Sequence, residues 1–370
     1  LISGLVAGLL LAQAGPPADA PGDQVIDFTP WEFSAPGGTG THFMVSIPQN
    51  PQSTPKRSPK GNWDFDWQVP AYGLLPGDTR LGLRFRVFAQ VRKLDRDLAP
   101  LVARSLIQLW GYNARELRLD HNPNYFMQLV DVYLCQEGKP GGEQMLGVDP
   151  QNVDQGRPTK TNQIYIYQIE SFDKPIEMIR EVAHEYGHAT LAPIGGYTSP
   201  ESWANGLLGE RLYLRWMLAD LSKDRLKIID TLGATKEDLQ NYVAKNVTTH
   251  ESTFALKGPN PTLAKDKTIK GMDYFTGIAA YAEAFLPRTV FRRSFFLAPV
   301  DGAGYAKAVV DAAAEKSDLT ITIPPGYLGK SIWVPTGKGK LNGLKPLATR
   351  DGWSLVKPVK NIVRVLNPEP

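Results

Sequence analysis

The sequence predicts an α+β fold: a mixed sheet, then helices that carry a functional site, then a small β-rich segment at the C-terminus. Three observations carry that expectation. Apolar and polar residues alternate, as in half-buried strands, at 81–91, 127–134 and 162–169. Apolar residues recur at three- and four-residue intervals at 95–109 and in several stretches between 173 and 316. From Leu319 the chain turns to short β-branched runs such as Thr320-Ile321-Thr322-Ile323, separated by Gly, Pro and Lys.

Composition sets the bounds. The chain has 370 residues, 42% apolar and 21% charged, an ordinary globular balance with room for a large domain or for two or three smaller ones. Its 41 basic and 38 acidic residues leave a formal charge of +3, which gives no electrostatic case for nucleic acid. Residues 1–12 form an apolar run too short to span a bilayer. With the small residues Ala12-Gln13-Ala14 behind it, the run matches the core of a secretory signal and its cleavage site. Residues 1–14 are therefore expected to be a signal remnant on an exported protein, secreted or periplasmic, with no transmembrane segment in its mature form. Cys135 is the only cysteine, so no intrachain disulfide is possible, which fits bacterial export.

Taken in order, 15–80 mixes aromatics with Pro and Gly and is expected to be irregular or extended. A main domain is expected over 81–316. It opens with the strand at 81–91 and a helix at 95–109, followed by strands at 127–134 and 162–169. Residues 136–161, rich in Gly, Pro, Asp and Lys, read as a long loop between those strands. Asp173 then caps a helix with Pro175 in its first turn, and Pro193 and Gly195-Gly196 end it. Ser199-Pro200-Glu201 has the cap-then-proline chemistry of another helix start, with a helical period running to about residue 221. Further helical patterns lie at 236–247, 272–286 and 304–316, and 317–370 is the β-rich segment.

The helix after Asp173 holds His184-Glu185-Tyr186-Gly187-His188. Histidines four apart lie one above the other on a helix face, so their imidazoles can share one metal, with Glu185 beside them as general base. A catalytic zinc takes three protein ligands and keeps an open position. On a continuous helix from Ser199, Glu201 and Glu210 are nine residues apart and fall on opposite faces. Trp203, Gly206, Leu207, Tyr213, Leu214, Met217 and Leu221 surround Glu210, leaving it the one charge in an apolar stripe. A buried carboxylate needs a partner or a metal, so Glu210 is the favoured third ligand. Glu201, near a helix N-terminus that stabilises a carboxylate, is the alternative.

His184-Glu-Tyr-Gly-His188 followed by Glu210 in Leu-Gly-Glu-Arg-Leu resembles the gluzincin zinc metallopeptidases, the thermolysin-like proteases and related aminopeptidases, over about residues 162–290. The resemblance implies a zincin-like catalytic domain with one catalytic Zn2+ and a peptide or protein substrate. It also implies a strand lining the cleft, for which 162–169 is placed, and a tyrosine that stabilises the oxyanion. Tyr274 in Tyr274-Phe-Thr-Gly277 matches that role, with Tyr197 and His250 as alternatives. The aminopeptidase segment that holds a free amine has no counterpart, and Gly209 stands where an Asn commonly precedes the ligand. Two rival functions follow from the same residues: a zinc hydrolase of a non-peptide amide or ester, and a degenerate surface-binding protein with a structural zinc site.

Overall fold

Side-chain alternation along three parallel strands builds the centre of the protein. The computed structural model describes residues 24–27, 42–45, 54–58, 61–65, 67–74, 80–90, 93–119, 130–148 and 160–368; the expected signal remnant at 1–14 lies outside them. In chain order, β1 (Gln24–Asp27), β2 (His42–Val45), β3 (Thr54–Ser58), β4 (Gly61–Phe65), β5 (Trp67–Leu74) and β6 (Arg80–Ala89) precede helix α1 (Lys93–Tyr112). Then come β7 (Val130–Leu134), β8 (Gly141–Val148) and β9 (Lys160–Tyr167). β3 pairs with β4, and the others form one seven-stranded sheet in the order β1-β2-β5-β6-β7-β9-β8. β6, β7 and β9 are mutually parallel, while β8 closes the sheet antiparallel to β9. The fold is mixed α+β with a mixed sheet, as expected.

One expectation about these segments is made specific and one is corrected. The stretch 15–80 contains five strands and the start of a sixth. Their Pro and Gly residues (Pro55 in β3, Pro70 and Gly73 in β5) hide the alternation, and pairing with neighbours supplies what local preference does not. The supposed loop 136–161 contains β8. Its sequence Gly-Gly-Glu-Gln-Met-Leu-Gly-Val is polar and glycine-rich because it covers only the edge of the sheet.

On one face of the parallel strands Phe85, Val87, Ala89, Val130, Val132, Leu134, Ile164 and Ile166 are buried in the main core with α1. On the other, Phe88, Tyr133 and Tyr165 stack at centroid separations of 4.8 and 4.9 Å. That face also holds Arg86, which donates to both oxygens of its register neighbour Asp131 at 2.7 and 2.8 Å, fully out of solvent. Along the described side chains of these strands the two faces thus differ, one mostly aliphatic and the other aromatic and polar.

The helices that follow are α2 (Pro175–Thr190), α3 (Asn205–Leu221), α4 (Lys236–Val243), α5 (Thr249–Lys257), α6 (Pro261–Ala264), α7 (Ile269–Phe285), α8 (Arg288–Leu297) and α9 (Tyr305–Ala314). The N-cap of α2 is Lys174 rather than Asp173. The helix expected from Ser199 begins only at Asn205, so 199–204 is a loop, and that shift decides the site described below. Among the described residues no helix is long and apolar enough to cross a membrane.

The C-terminal strands β10 (Asp318–Thr322), β11 (Ile332–Pro335), β12 (Lys340–Leu341), β13 (Ala348–Arg350), β14 (Trp353–Val356) and β15 (Ile362–Leu366) make two three-stranded sheets. They share the main core: the Tyr281 hydroxyl of α7 donates to the Trp333 carbonyl at 2.8 Å, and the Phe254 ring meets Trp353 edge-on at 5.1 Å.

Candidate metal centre

Helix α2 packs between the sheet edge and α3, and it carries the His-Glu-Tyr-Gly-His motif at that junction. Residues four apart share a face, and His184 and His188 accordingly turn their Nε2 atoms to within 3.2 Å of each other. The third group at this point is Glu201. Its Oε2 stands 2.8 Å from His184 Nε2 and 3.1 Å from His188 Nε2. Among the described residues, His184, His188 and Glu201 form the group whose ligand atoms converge as a metal site requires.

Glu210, the favoured third ligand on helical geometry, lies on the other side of the imidazole. Its Oε2 is 3.0 Å from His184 Nδ1, and its Oε1 accepts from Arg180 Nε and from the Tyr242 hydroxyl, each at 2.6 Å. The buried carboxylate does have partners, as its apolar surroundings demand, but they are a histidine edge, a guanidinium and a phenol. The opposite-face argument placed Glu201 and Glu210 on one helix. Because α3 starts at Asn205, Glu201 is free of that geometry, and both carboxylates reach His184, one at each nitrogen.

The outer nitrogens are fixed. A carboxylate only accepts, so His184 donates from Nδ1 to Glu210 and from Nε2 to Glu201; against the effect of burial, these bonds raise its pKa. Asn205 Nδ2 faces the carbonyls of Gly187, His188 and Leu191, which turns its Oδ1 to His188 Nδ1 at 2.9 Å. Against the effect of burial, hydrogen bonds from His184 and His188 hold Glu201 down at about 2. Burial likewise opposes, and hydrogen bonding to His184 with the charge of Arg180 produces, a value of about 2 for Glu210.

Glu185 lies against β8. Burial pushes its carboxyl up to about 7 against the opposing charges of His184 and His188. Its Oε2 is buried without a hydrogen-bond partner, and so is Glu201 Oε1. A Cβ on Gly142 of β8 would stand 2.5 Å from Glu185 Cγ and 2.7 Å from Glu181 Oε1, so only glycine lets the edge strand lie this close. β8, not the expected 162–169, is therefore the strand against the motif glutamate; the expected strand is β9, one position inward.

Close backbone approach recurs where α2 crosses α3. A Cβ on Gly187 would meet the Asn205 carbonyl oxygen at 2.6 Å, and one on Gly209 would meet Gly187 Cα at 2.7 Å. Gly206 lies directly against His184 Nε2 and His188 Nε2. Gly209, standing where an Asn was looked for, thus serves the helix crossing. Gly209→Ala should push α3 off α2 and lower stability by about 1–3 kcal/mol, read as a reduced urea midpoint. An unchanged midpoint would mean that α3 shifts freely at this contact.

Two of the three candidates for oxyanion stabilisation engage other partners, and the third is buried. The Tyr274 hydroxyl accepts from the Asn260 amide at 2.8 Å, beside the Phe254 ring. His250 Nε2 lies 3.5 Å from Asp273, whose Oδ1 also accepts from Arg211. Tyr197 is buried at the end of the loop after α2, its hydroxyl pushed up to about 12 by burial and by Asp301.

The donor set can be tested against a metal. Ligand atoms ~2.0–2.1 Å from a tetrahedral zinc stand ~3.3 Å from one another. The separations of 2.8, 3.1 and 3.2 Å among Glu201 Oε2 and the two Nε2 atoms are shorter than that by up to about 0.5 Å, so a small outward shift of Glu201 would bring them to it. Two imidazoles and a carboxylate, with their outer nitrogens held, are a donor set that could hold a metal ion. Compared with family models and with curated proteins, the chain matches none.

Proposed function

We propose that the protein is a zinc-dependent metallopeptidase in which His184, His188 and Glu201 hold the ion and Glu185 is the general base. The zincin-like description of the fold is part of the same proposal, supported by an antiparallel edge strand facing the helix that carries the motif. The observation that carries it is a convergent donor set, two histidines from one turn of α2 and Glu201 from the loop after it, beside Glu185, a buried carboxylate on that same turn whose second oxygen has no partner. Structural coordination alone has no use for such a carboxylate, which speaks against a degenerate site. β8 ends the sheet among the described residues, beside Glu185, and an extended peptide can pair with an edge strand through its backbone. This favours a peptide over a compact amide or ester. Export rests on the apolar run at 1–12.

When bound, zinc acts as a Lewis acid, lowering the pKa of water to ~7 and polarising the scissile carbonyl. Glu185 takes the proton of the attacking water and returns it to the leaving amine. With burial holding its carboxyl near 7, it can both accept and release that proton close to neutral pH. Glu210 and Asn205 keep the imidazoles oriented by their outer nitrogens.

Metal analysis of the purified full chain, with a peptide-library assay before and after chelation, tests this. Stoichiometric zinc, and hydrolysis abolished by chelator and restored by zinc, is the expected result. A zinc-free protein that hydrolyses peptides, or hydrolysis indifferent to chelator, would end the metallopeptidase assignment.

A further inference from the structure

The chain from Glu201 to Gly206 wraps the two imidazoles, since Glu201 Oε2 reaches both Nε2 atoms and Gly206 lies against them. Trp203 sits inside this stretch, two residues from Glu201, so its Cα is within ~7 Å of that ligand's Cα. Its indole is nevertheless 47% exposed. The ring rests on bare backbone: a Cβ on Gly195 would stand 2.8 Å from its Cζ3, and Gly196 has φ +88° and no side chain to cover it. Gly195, Gly196, Trp203, Pro299, Val300 and Asp301 line an open cavity of about 390 Å³. Its walls are tied together, because the Gly195 amide donates to the Val300 carbonyl and the Ala204 amide to the Ile194 carbonyl, both at 2.7 Å.

An exposed tryptophan laid on glycine, two residues from the proposed ligand Glu201, is apolar surface left open rather than spent on the core. We propose that this cavity is the substrate side-chain subsite and that it takes a large apolar residue of the peptide, aromatic foremost, stacked on Trp203. The charge at the rim does not select a basic residue. Asp301 Oδ1 already accepts from the Ala303 amide at 3.1 Å, and the Lys267 ammonium lies over Gly196, 3.2 Å from where a Cβ would be. The indole, the Pro299 ring and the Val300 side chain leave the selection to shape and apolar contact.

The subsite rests on the metallopeptidase assignment, and two measurements separate them. In the first, wild type, Trp203→Ala and Trp203→Phe are assayed on peptides varied between Phe and Ala at each position flanking the scissile bond. Wild type should prefer Phe at one position. Trp203→Ala should lower kcat/KM for that peptide by about 10- to 100-fold, with little change for the Ala peptide, and Trp203→Phe should restore most of the preference. In the second, N-acetyl-phenylalanine amide is titrated into chelator-treated protein, with the Trp203 indole resonance followed by NMR in wild type and the heat of binding measured in both wild type and Trp203→Ala. A shift in wild type, and no binding to Trp203→Ala, supports the subsite whether or not any peptide is cleaved. Binding without hydrolysis by zinc-loaded protein sinks the metallopeptidase assignment alone. No shift of the indole, or an equal loss on Phe and Ala peptides in Trp203→Ala, overturns the subsite.

Discussion

Glu185→Gln is expected to reduce kcat/KM for peptide hydrolysis by about 10²- to 10⁴-fold while leaving zinc stoichiometry unchanged. The substitution keeps the shape of the side chain and removes only its capacity to take a proton. The position is suited to that test because the wild-type carboxyl is buried, has one oxygen without a partner, and lies against β8 on the helix turn that carries the two histidines. Burial also raises its pKa to about 7, so the carboxylate is costly to keep charged inside the fold. A neutral amide should therefore not destabilise the protein, and an unchanged or raised thermal midpoint should accompany the lost activity. That combination distinguishes a catalytic role from a structural one. Undiminished hydrolysis by the variant would remove Glu185 from the reaction, and loss of zinc would make it part of the metal's support.

How far the site was legible in the sequence depended on whether one element supplied it. His184, Glu185 and His188 share one turn of α2, so helical spacing alone brings them together. The third ligand comes from a loop, where spacing has no period to exploit. Ser199-Pro200 carries the chemistry of a helix start, but the helix waits until Asn205, and a projection that began it at Ser199 set Glu201 and Glu210 in opposition. The same projection correctly marked Glu210 as a carboxylate that must have partners. Likewise the hydrophobic strands β6, β7 and β9 declared themselves by alternation, whereas β8 did not, because an edge strand lying against a helix is built from glycine and polar residues. The glycines at 142, 187, 206 and 209 carried the missing signal: each marks a place where another chain segment passes too close for a side chain. From one sequence they read only as loop or helix-weakening residues.

Glu201→Gln and Glu210→Gln should separate the metal's own ligand from the residue that orients it, and they reverse the order expected from a continuous helix. Glu201 Oε2 is the only carboxylate oxygen among the described residues that meets both Nε2 atoms. Replacing it with a neutral amide removes a charged donor from a set of three, and zinc affinity should fall by well over ~100-fold. Glu210 acts through His184: its Oε2 holds Nδ1 at 3.0 Å, and Arg180 and Tyr242 hold its other oxygen. Loss of such an orienting carboxylate typically weakens metal binding by ~10- to 100-fold. Both variants should destabilise the chelated protein, Glu210→Gln the more, because Arg180 and the Tyr242 hydroxyl lose a buried charged acceptor there, whereas Glu201 is less buried and, among the described residues, faces only the two histidines. Competition with a chromophoric chelator gives the affinities, and urea denaturation of the chelated proteins gives the stabilities. A larger affinity loss in Glu210→Gln than in Glu201→Gln would return the ligand to α3 and require the 199–204 loop to move away from the histidines when zinc binds.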